Sequence, residues 1–145
     1  MTKIWVVVAD SAYARFFQTD SRIGPLTEFK DLTHPEARLK NGDLRSDGAG
    51  RTFDSGGMGR HAKEQRVEPR EEEALRFARE VAQALAAGRN GGEYERLTIV
   101  APPRFLGMLR DAIDTQVQAA IVAEVGKDLV HHSPQQIRDA LPERL

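Results

Sequence analysis

The sequence predicts an α/β domain: a mixed β-sheet with helices on its faces. Three observations support this class. Residues 4–9 (IWVVVA) are a continuous β-branched run, typical of a strand buried on both faces of a sheet. Residues 74–85 carry apolar side chains at helical spacing, as expected for a helix packed on such a sheet. The predicted strands come first and then alternate with helices, within 145 residues that suit one domain.

The sequence of the N-terminal third predicts a meander of three antiparallel strands. Residues 4–9 are followed by a turn at Asp10 and by a second strand over 14–19. Residues 26–32 alternate in polarity, which places the even-numbered residues from Leu26 to Leu32 on one side of an outer strand.

The second half of the chain predicts helices alternating with strands. A helix over about residues 69–87 begins at Pro69 and stops at Gly88. The later elements are a strand over 97–101, a helix over about 104–114, a strand over 120–125 and a helix that Ser133 caps. Three meander strands followed by βαβ-like units make a sheet of about five strands, in the order of ribonuclease H-like domains.

Composition narrows the classes of function. The chain has 21 basic and 22 acidic residues, whereas a dedicated nucleic-acid binder carries a basic excess. The absence of cysteine excludes disulfide and thiolate chemistry. The N-terminal apolar run is too short for a signal peptide, and no stretch reaches the ~20 apolar residues of a membrane span. We therefore expect a cytoplasmic protein with no membrane partner.

A Gly-rich stretch over residues 40–68 separates the meander from the first helix, and it holds six of the twelve glycines. So long a stretch without regular structure predicts a long mobile loop that is functional or disordered. A mobile arm with several arginines is suited to RNA phosphates, and the alternative is a solvated loop of mixed charge. The candidate binding residues are Arg45, Arg51, Gly56, Gly57, Met58, Arg60, His61, Lys63 and Arg66.

Asp10 is the first candidate for chemistry, because ribonuclease H-like nucleases place a metal-binding carboxylate after their first strand. Such a site needs two or three further carboxylates. The available ones are Asp31, Asp114 and Asp128, and their spacing does not require them to converge. The favoured alternative is that Asp10 caps a turn. The adjacent histidines 131 and 132 would point to opposite faces of a strand. We therefore predict no metal site and no cofactor.

Four segments together resemble the bacterial host-attachment protein family. They are IWVVVADSAYARFF at the start, the Gly-rich loop that leads into a helix, LTIVAPPRFLGMLR, and VAEVGKDLVHHSPQQIRDAL near the end. The family is similar to the middle domain of archaeal and eukaryotic class 1 release factors and of Pelota. The resemblance implies one release-factor-middle-domain-like domain over residues 1–145, with a mixed sheet of the ribonuclease H-like kind.

The resemblance also implies a role for the loop. In release factors this loop carries a Gly-Gly-Gln tip that assists hydrolysis of peptidyl-tRNA on the ribosome. Here the tip reads Gly56-Gly57-Met58, and a thioether lacks the donor of the glutamine amide. The resemblance therefore favours a non-enzymatic module that docks on the ribosome or RNA through its loop. The alternative is a hydrolase, acting on peptidyl-tRNA through Gly56, Gly57 and Met58 or as a metal-dependent nuclease around Asp10.

Two further interpretations remain open from the sequence. An exposed sheet edge in the meander makes a second copy of this chain a candidate partner, giving a homodimer. The family name, taken literally, suggests a surface adhesin, and the absence of an export signal weighs against that interpretation.

Overall fold

The computed structural model describes residues 2–34 and 69–145. Its strands are β1 (Ile4–Ala9), β2 (Tyr13–Thr19), β3 (Thr27–Thr33), β4 (Arg96–Val100) and β5 (Ile121–Val125). Its helices are α1 (Pro69–Asn90), α2 (Pro103–Ala112), α3 (Thr115–Ala120) and α4 (Pro134–Asp139). The predicted loop over residues 40–68, with all of its candidate binding residues, lies outside the described residues and stays a prediction.

The described strands form one five-stranded sheet in the order β3-β2-β1-β4-β5. β1 pairs antiparallel with β2, and β2 pairs antiparallel with β3. β1 pairs parallel with β4, and β4 pairs parallel with β5. The predicted mixed sheet of the ribonuclease H-like arrangement is confirmed. β1, β3, β4 and β5 all end at the same edge of the sheet, which we call the carboxyl edge. The opposite edge is the amino edge.

β1 is the centre of the core, and all six of its residues are buried. Alternate side chains point to the two faces of the sheet, and a separate apolar cluster covers each face. On the α1 face the cluster includes Trp5, Val7, Ala9, Phe77, Val81, Leu85, Phe105 and Leu109. On the α4 face it includes Ile4, Val6, Val8, Phe17, Leu129, Ile137 and Leu145. Burial on both sides explains why the strand shows a continuous apolar run rather than an alternating pattern.

β3 contains a bulge that the sequence did not reveal. The β2–β3 register shifts between Phe16 and Phe17, which leaves Phe29 as an extra residue in β3. As a result Leu26 packs in the α4-face cluster, whereas Leu32 packs against the α1-face cluster. The prediction that the even-numbered residues from Leu26 to Leu32 share one side is therefore wrong. The bulge reverses the alternation halfway along the strand.

The end of α1 also differs from the prediction. The helix runs through Gly88 to Asn90, so Gly88 is not its stop. Gly88 is buried against the indole of Trp5, and a Cβ atom at this position would overlap Cη2 and lie 2.7 Å from Cζ3 of that ring. The chain turns two residues after the helix, where Gly92 has a φ of +69°, a conformation that favours glycine. Gly88 is therefore a packing residue.

The remaining elements follow the prediction with one addition. The predicted helix over 104–114 is α2, and a separate short helix, α3, comes before β5. Asp114 caps α3, because its Oδ1 accepts the Val117 N–H at 2.8 Å. The predicted capping box of α4, made by Ser133 and Gln136, is confirmed. In the part of the chain that the structure describes, no helix is long and apolar enough to span a bilayer.

Candidate functional site at the carboxyl edge

Asp10 follows β1 directly, and its carboxylate stabilises the turn into β2. Its Oδ1 accepts the main-chain N–H groups of Ala12 and Tyr13, both at 2.9 Å. Its own N–H donates to the Tyr13 carbonyl at 2.9 Å. This is the capping geometry that a short Asp side chain provides in turns. The observed contacts of Asp10 are therefore those of the turn residue that the sequence favoured.

The carboxylates proposed as partners of Asp10 are used elsewhere. Asp114 caps α3, and Asp31 lies on the outer strand β3, where Glu28 raises its pKa. Asp128 is exposed. Within residues 2–34 and 69–145, no group of three or more His, Cys, Asp or Glu side chains is placed to hold a metal ion. The described geometry therefore gives no support to a nuclease centre around Asp10.

The two histidines at 131 and 132 precede α4, in a segment that Arg15 fastens to the sheet. Arg15 Nη1 donates to the carbonyls of Val130 at 2.9 Å and His132 at 2.6 Å. The same guanidinium pairs with Glu28, whose Oε1 lies 2.8 Å from Nη2. The His131 ring stacks on Tyr13 with centroids 6.5 Å apart, and both histidines are exposed. These contacts orient the start of α4 and do not bring the histidines to a common ligand.

A buried His34–Glu73 pair is the main feature that sequence reasoning missed. His34 Nε2 lies 2.8 Å from Glu73 Oε1, and the two side chains are only 7% and 4% exposed. His34 ends the first described range, and Glu73 lies near the start of α1, which begins the second. The pair therefore joins the two described ranges at the carboxyl edge.

Packing around the pair fixes its position. The His34 ring stacks on Phe77 with centroids 5.4 Å apart, and Phe77 stacks on Phe105 at 6.1 Å. The His34 main-chain N–H donates to the Ala12 carbonyl at 2.9 Å, which ties the end of β3 to the β1–β2 turn. One signal was available in the sequence. Glu73 precedes Phe77 by four residues, so an acid lies on the apolar face of α1, where charged groups need a partner.

An exposed ion pair completes this edge. Arg104 Nη2 lies 3.1 Å from Glu71 Oε2, so the first turn of α1 is connected to the first turn of α2. In open α/β sheets, ligands bind outside the carboxyl ends of the strands. The carboxyl edge, which includes the buried His34–Glu73 pair, is therefore the candidate functional site.

The sheet order defines an α/β domain with the ribonuclease H-like arrangement of strands. A family model for proteins required for attachment to host cells matches residues 5–141, and the chain belongs to that family. The part of the prediction that named the family is confirmed.

Two solved structures show a distant likeness. The archaeal translation termination factor aRF1 is 11% identical, with a TM-score of 0.49, over 97% of this chain and 35% of that one. The type II variant of the Ppx/GppA phosphatase from Aquifex aeolicus is 12% identical, with a TM-score of 0.39, over 86% of this chain and 36% of that one. This chain thus spans about a third of each, and likenesses this weak do not support an argument about function. No curated protein matches the chain.

Proposed function

We propose that this protein is a non-enzymatic binding module of the cytoplasmic translation apparatus, which contacts the ribosome or its RNA through residues 40–68. The observation that supports this most is the buried His34–Glu73 pair, at 2.8 Å. It joins His34, which precedes residues 40–68 in the chain, to Glu73, which follows them, at the edge where α/β domains bind ligands. The sequence resemblance supports the same role, since release factors carry their ribosomal tip at the equivalent place.

The chemistry of the segment favours binding to phosphates. It contains five basic residues named above as candidates, spaced among acids, in a chain whose net charge is −1. Binding must therefore come from local contacts of arginine and lysine with phosphates, which release counterions and weaken as salt rises. Met58 occupies the position of the release-factor glutamine and provides no side-chain donor. These features favour binding over hydrolysis, and no contact among the described residues favours the hydrolase alternative.

Sedimentation with ribosomes tests the proposal. The variant replaces residues 42–66 by a Gly/Ser linker of equal length and leaves His34 and Glu73 in place. We expect the wild-type protein to migrate with ribosomal particles at low salt and the variant to stay at the top of the gradient. Circular dichroism and thermal unfolding check that the variant keeps its fold. If both proteins stay at the top, the proposal is wrong. If both sediment equally, the segment is not the contact.

A pair of variants with equal numbers of substitutions tests whether binding depends on contacts between basic side chains and phosphates, rather than on the presence of the segment alone. One variant changes five of its six basic residues to glutamine, namely Arg45, Arg51, Arg60, Lys63 and Arg66. The control changes its acids, Asp43, Asp47, Asp54, Glu64 and Glu68, to the corresponding amides. We expect the first to lose binding and the second to bind more tightly, because each phosphate contact depends on the charge of the arm. Equal behaviour of the two variants would contradict a phosphate contact.

A further inference from the structure

Three arginines come together at the amino edge, on the opposite side of the molecule from the candidate site. Arg22 lies in the turn between β2 and β3, and Arg144 follows α4. Arg96 begins β4 opposite Ile4 of β1, whose side chain packs on the α4 face. We call Arg22, Arg96 and Arg144 the arginine cluster.

The main chain around the cluster is held by a network of hydrogen bonds. Arg22 Nε donates to the Leu145 main-chain oxygen at 2.7 Å, and the Leu145 N–H donates to the Arg22 carbonyl at 2.8 Å. Arg138 donates to the carbonyls of Gly24 at 2.9 Å, Arg22 at 3.3 Å and Glu143 at 2.7 Å. Arg138 is thus used to fasten the C-terminal segment to the β2–β3 turn. The main chain that carries Arg22 and Arg144 is therefore held in place by these hydrogen bonds.

No side-chain carboxylate of the described residues pairs with Arg22, Arg96 or Arg144. Arg22 Nε donates instead to an oxygen of Leu145, the last residue of the sequence. The neighbouring acid Glu95 instead accepts the Lys3 main-chain N–H at 3.2 Å. Arg96 Nε is buried with no protein acceptor within hydrogen-bonding distance. Burial, followed by the charges of Arg96 and Arg144, lowers the pKa of Arg22.

We propose that Arg22, Arg96 and Arg144 form an oxyanion site that binds a phosphate group. Guanidinium groups present paired N–H donors that match the oxygens of phosphate. Arg22 uses only its Nε internally, and no contact occupies the guanidinium of Arg144 in the described structure. A bound phosphate accepts hydrogen bonds from the guanidinium N–H groups that the protein leaves unused and relieves the repulsion among the three charges. The phosphate comes either from an RNA backbone or from a small phosphate compound.

Titration with inorganic phosphate tests the site. The readout is the arginine Nε–Hε signals in nitrogen–proton NMR spectra, with sodium chloride at matched ionic strength as reference. We expect saturable shifts at Arg22, Arg96 and Arg144 that chloride does not reproduce. Arg144→Gln, at an exposed residue without described contacts, is expected to weaken phosphate binding at least about fivefold. The matched control is Arg79→Gln on the exposed side of α1.

Three results would overturn the proposal: equal shifts with phosphate and chloride, no saturation, or equal weakening by Arg79→Gln and Arg144→Gln. Arg96→Gln gives an independent check, because its unfolding transition shows directly whether the variant is folded. A folded Arg96→Gln variant that binds phosphate like the wild type would also overturn it.

A short single-stranded RNA distinguishes the sources of the phosphate. If RNA displaces inorganic phosphate and binds more tightly, the RNA backbone is the source, and Arg96→Gln lowers the salt slope by about 1. If RNA does not compete, the ligand is a small phosphate compound. Repeating the titration on the variant with residues 42–66 replaced separates this site from the proposed function. Phosphate binding persists in that variant whether or not it binds ribosomes.

Discussion

His34→Ala is the substitution that most directly tests the anchor at the carboxyl edge. It removes a hydrogen bond of 2.8 Å to a carboxylate that is only 4% exposed, and it removes a ring stacked 5.4 Å from Phe77. A hydrogen bond to a charged group contributes ~1.5–3 kcal/mol, and breaking a buried pair costs ~3–5 kcal/mol in total. We therefore expect His34→Ala to lower the free energy of unfolding by about 3–5 kcal/mol.

Urea unfolding measured by tryptophan fluorescence provides the assay, because the single tryptophan, Trp5, is 4% exposed in the core. The control is His34→Phe, which keeps a ring on Phe77 and removes only the hydrogen bond to Glu73. We expect His34→Phe to cost less than His34→Ala, because it retains the packing of the ring. The reasoning is refuted if His34→Ala costs less than about 1 kcal/mol, the value of one ordinary hydrogen bond.

Three further predictions rest on single positions. Gly88→Ala is expected to lower the free energy of unfolding by ~1–3 kcal/mol, because the new methyl group meets the indole ring of Trp5. Gly107→Ala, where a Cβ atom has open space, should raise that free energy by up to ~1 kcal/mol. The urea midpoints of the two variants, compared with the wild type, test both expectations. Burial raises the pKa of Tyr94 to about 12, so its contribution to stability is complete below pH 10.0 and is lost as pH rises through about 12. Absorbance at alkaline pH, recorded on a Tyr13→Phe variant in which Tyr94 is the only tyrosine, should show this late ionisation, and an ionisation near 10.0 would contradict it. A hydrogen bond with Glu28 raises the pKa of Asp31 above its ordinary value of 3.8. The contribution of Asp31 to stability is therefore complete below pH 3.8 and is lost as the pH rises through the raised pKa. Asp31→Asn should therefore raise the free energy of unfolding by ~0.5 kcal/mol near pH 7 and leave it almost unchanged near pH 3. An equal change at the two pH values would refute this role of Asp31.

Elements with long, regular patterns could be predicted from the sequence. β1 and α1 were found because the continuous run and the helical stripe each extend over the whole element. The bulge at Phe29 could not be found, because it depends on the register with β2 and leaves no mark in the alternation of β3 itself. Gly88 was misjudged for a similar reason. In the sequence, a glycine that ends a helix cannot be distinguished from a glycine that packs closely against a residue far away in the chain, as Gly88 does against Trp5.

In the candidate site, too, local contacts could be predicted from the sequence and long-range contacts could not. The turn at Asp10 depends on contacts within three residues, and the sequence favoured it. The His34–Glu73 pair joins residues that are 39 positions apart, and the hydrogen bond from Arg22 to Leu145 joins residues 123 positions apart. Such pairs depend on which strands pair and in which register, and a single sequence does not reveal the register. Only the acid on the apolar face of α1 gave a local hint.

The His34–Glu73 pair and the arginine cluster lie at opposite edges of one sheet, and this separation sets the least length of a ligand that reaches from one to the other. β4 has five residues. At ~3.3 Å per residue, Arg96 and Val100 are about 13 Å apart along it, which gives the least distance between the edges. A stacked strand rises ~3.4 Å per nucleotide, so at least about four nucleotides are needed to bridge them. If the phosphate comes from RNA, an oligonucleotide of about ten residues should bind much more tightly than one of three, because its second contact is intramolecular.

Variants at either edge test this bridging. Arg96→Gln, or the linker replacement of residues 42–66, should each remove most of the preference for the longer RNA. The two changes combined should add little beyond either one, because each alone already breaks the bridge. Arg79→Gln should leave the length preference intact. If the preference survives both single changes, the two edges bind separate ligands. Residues 40–68 and the arginine cluster would then serve two independent functions.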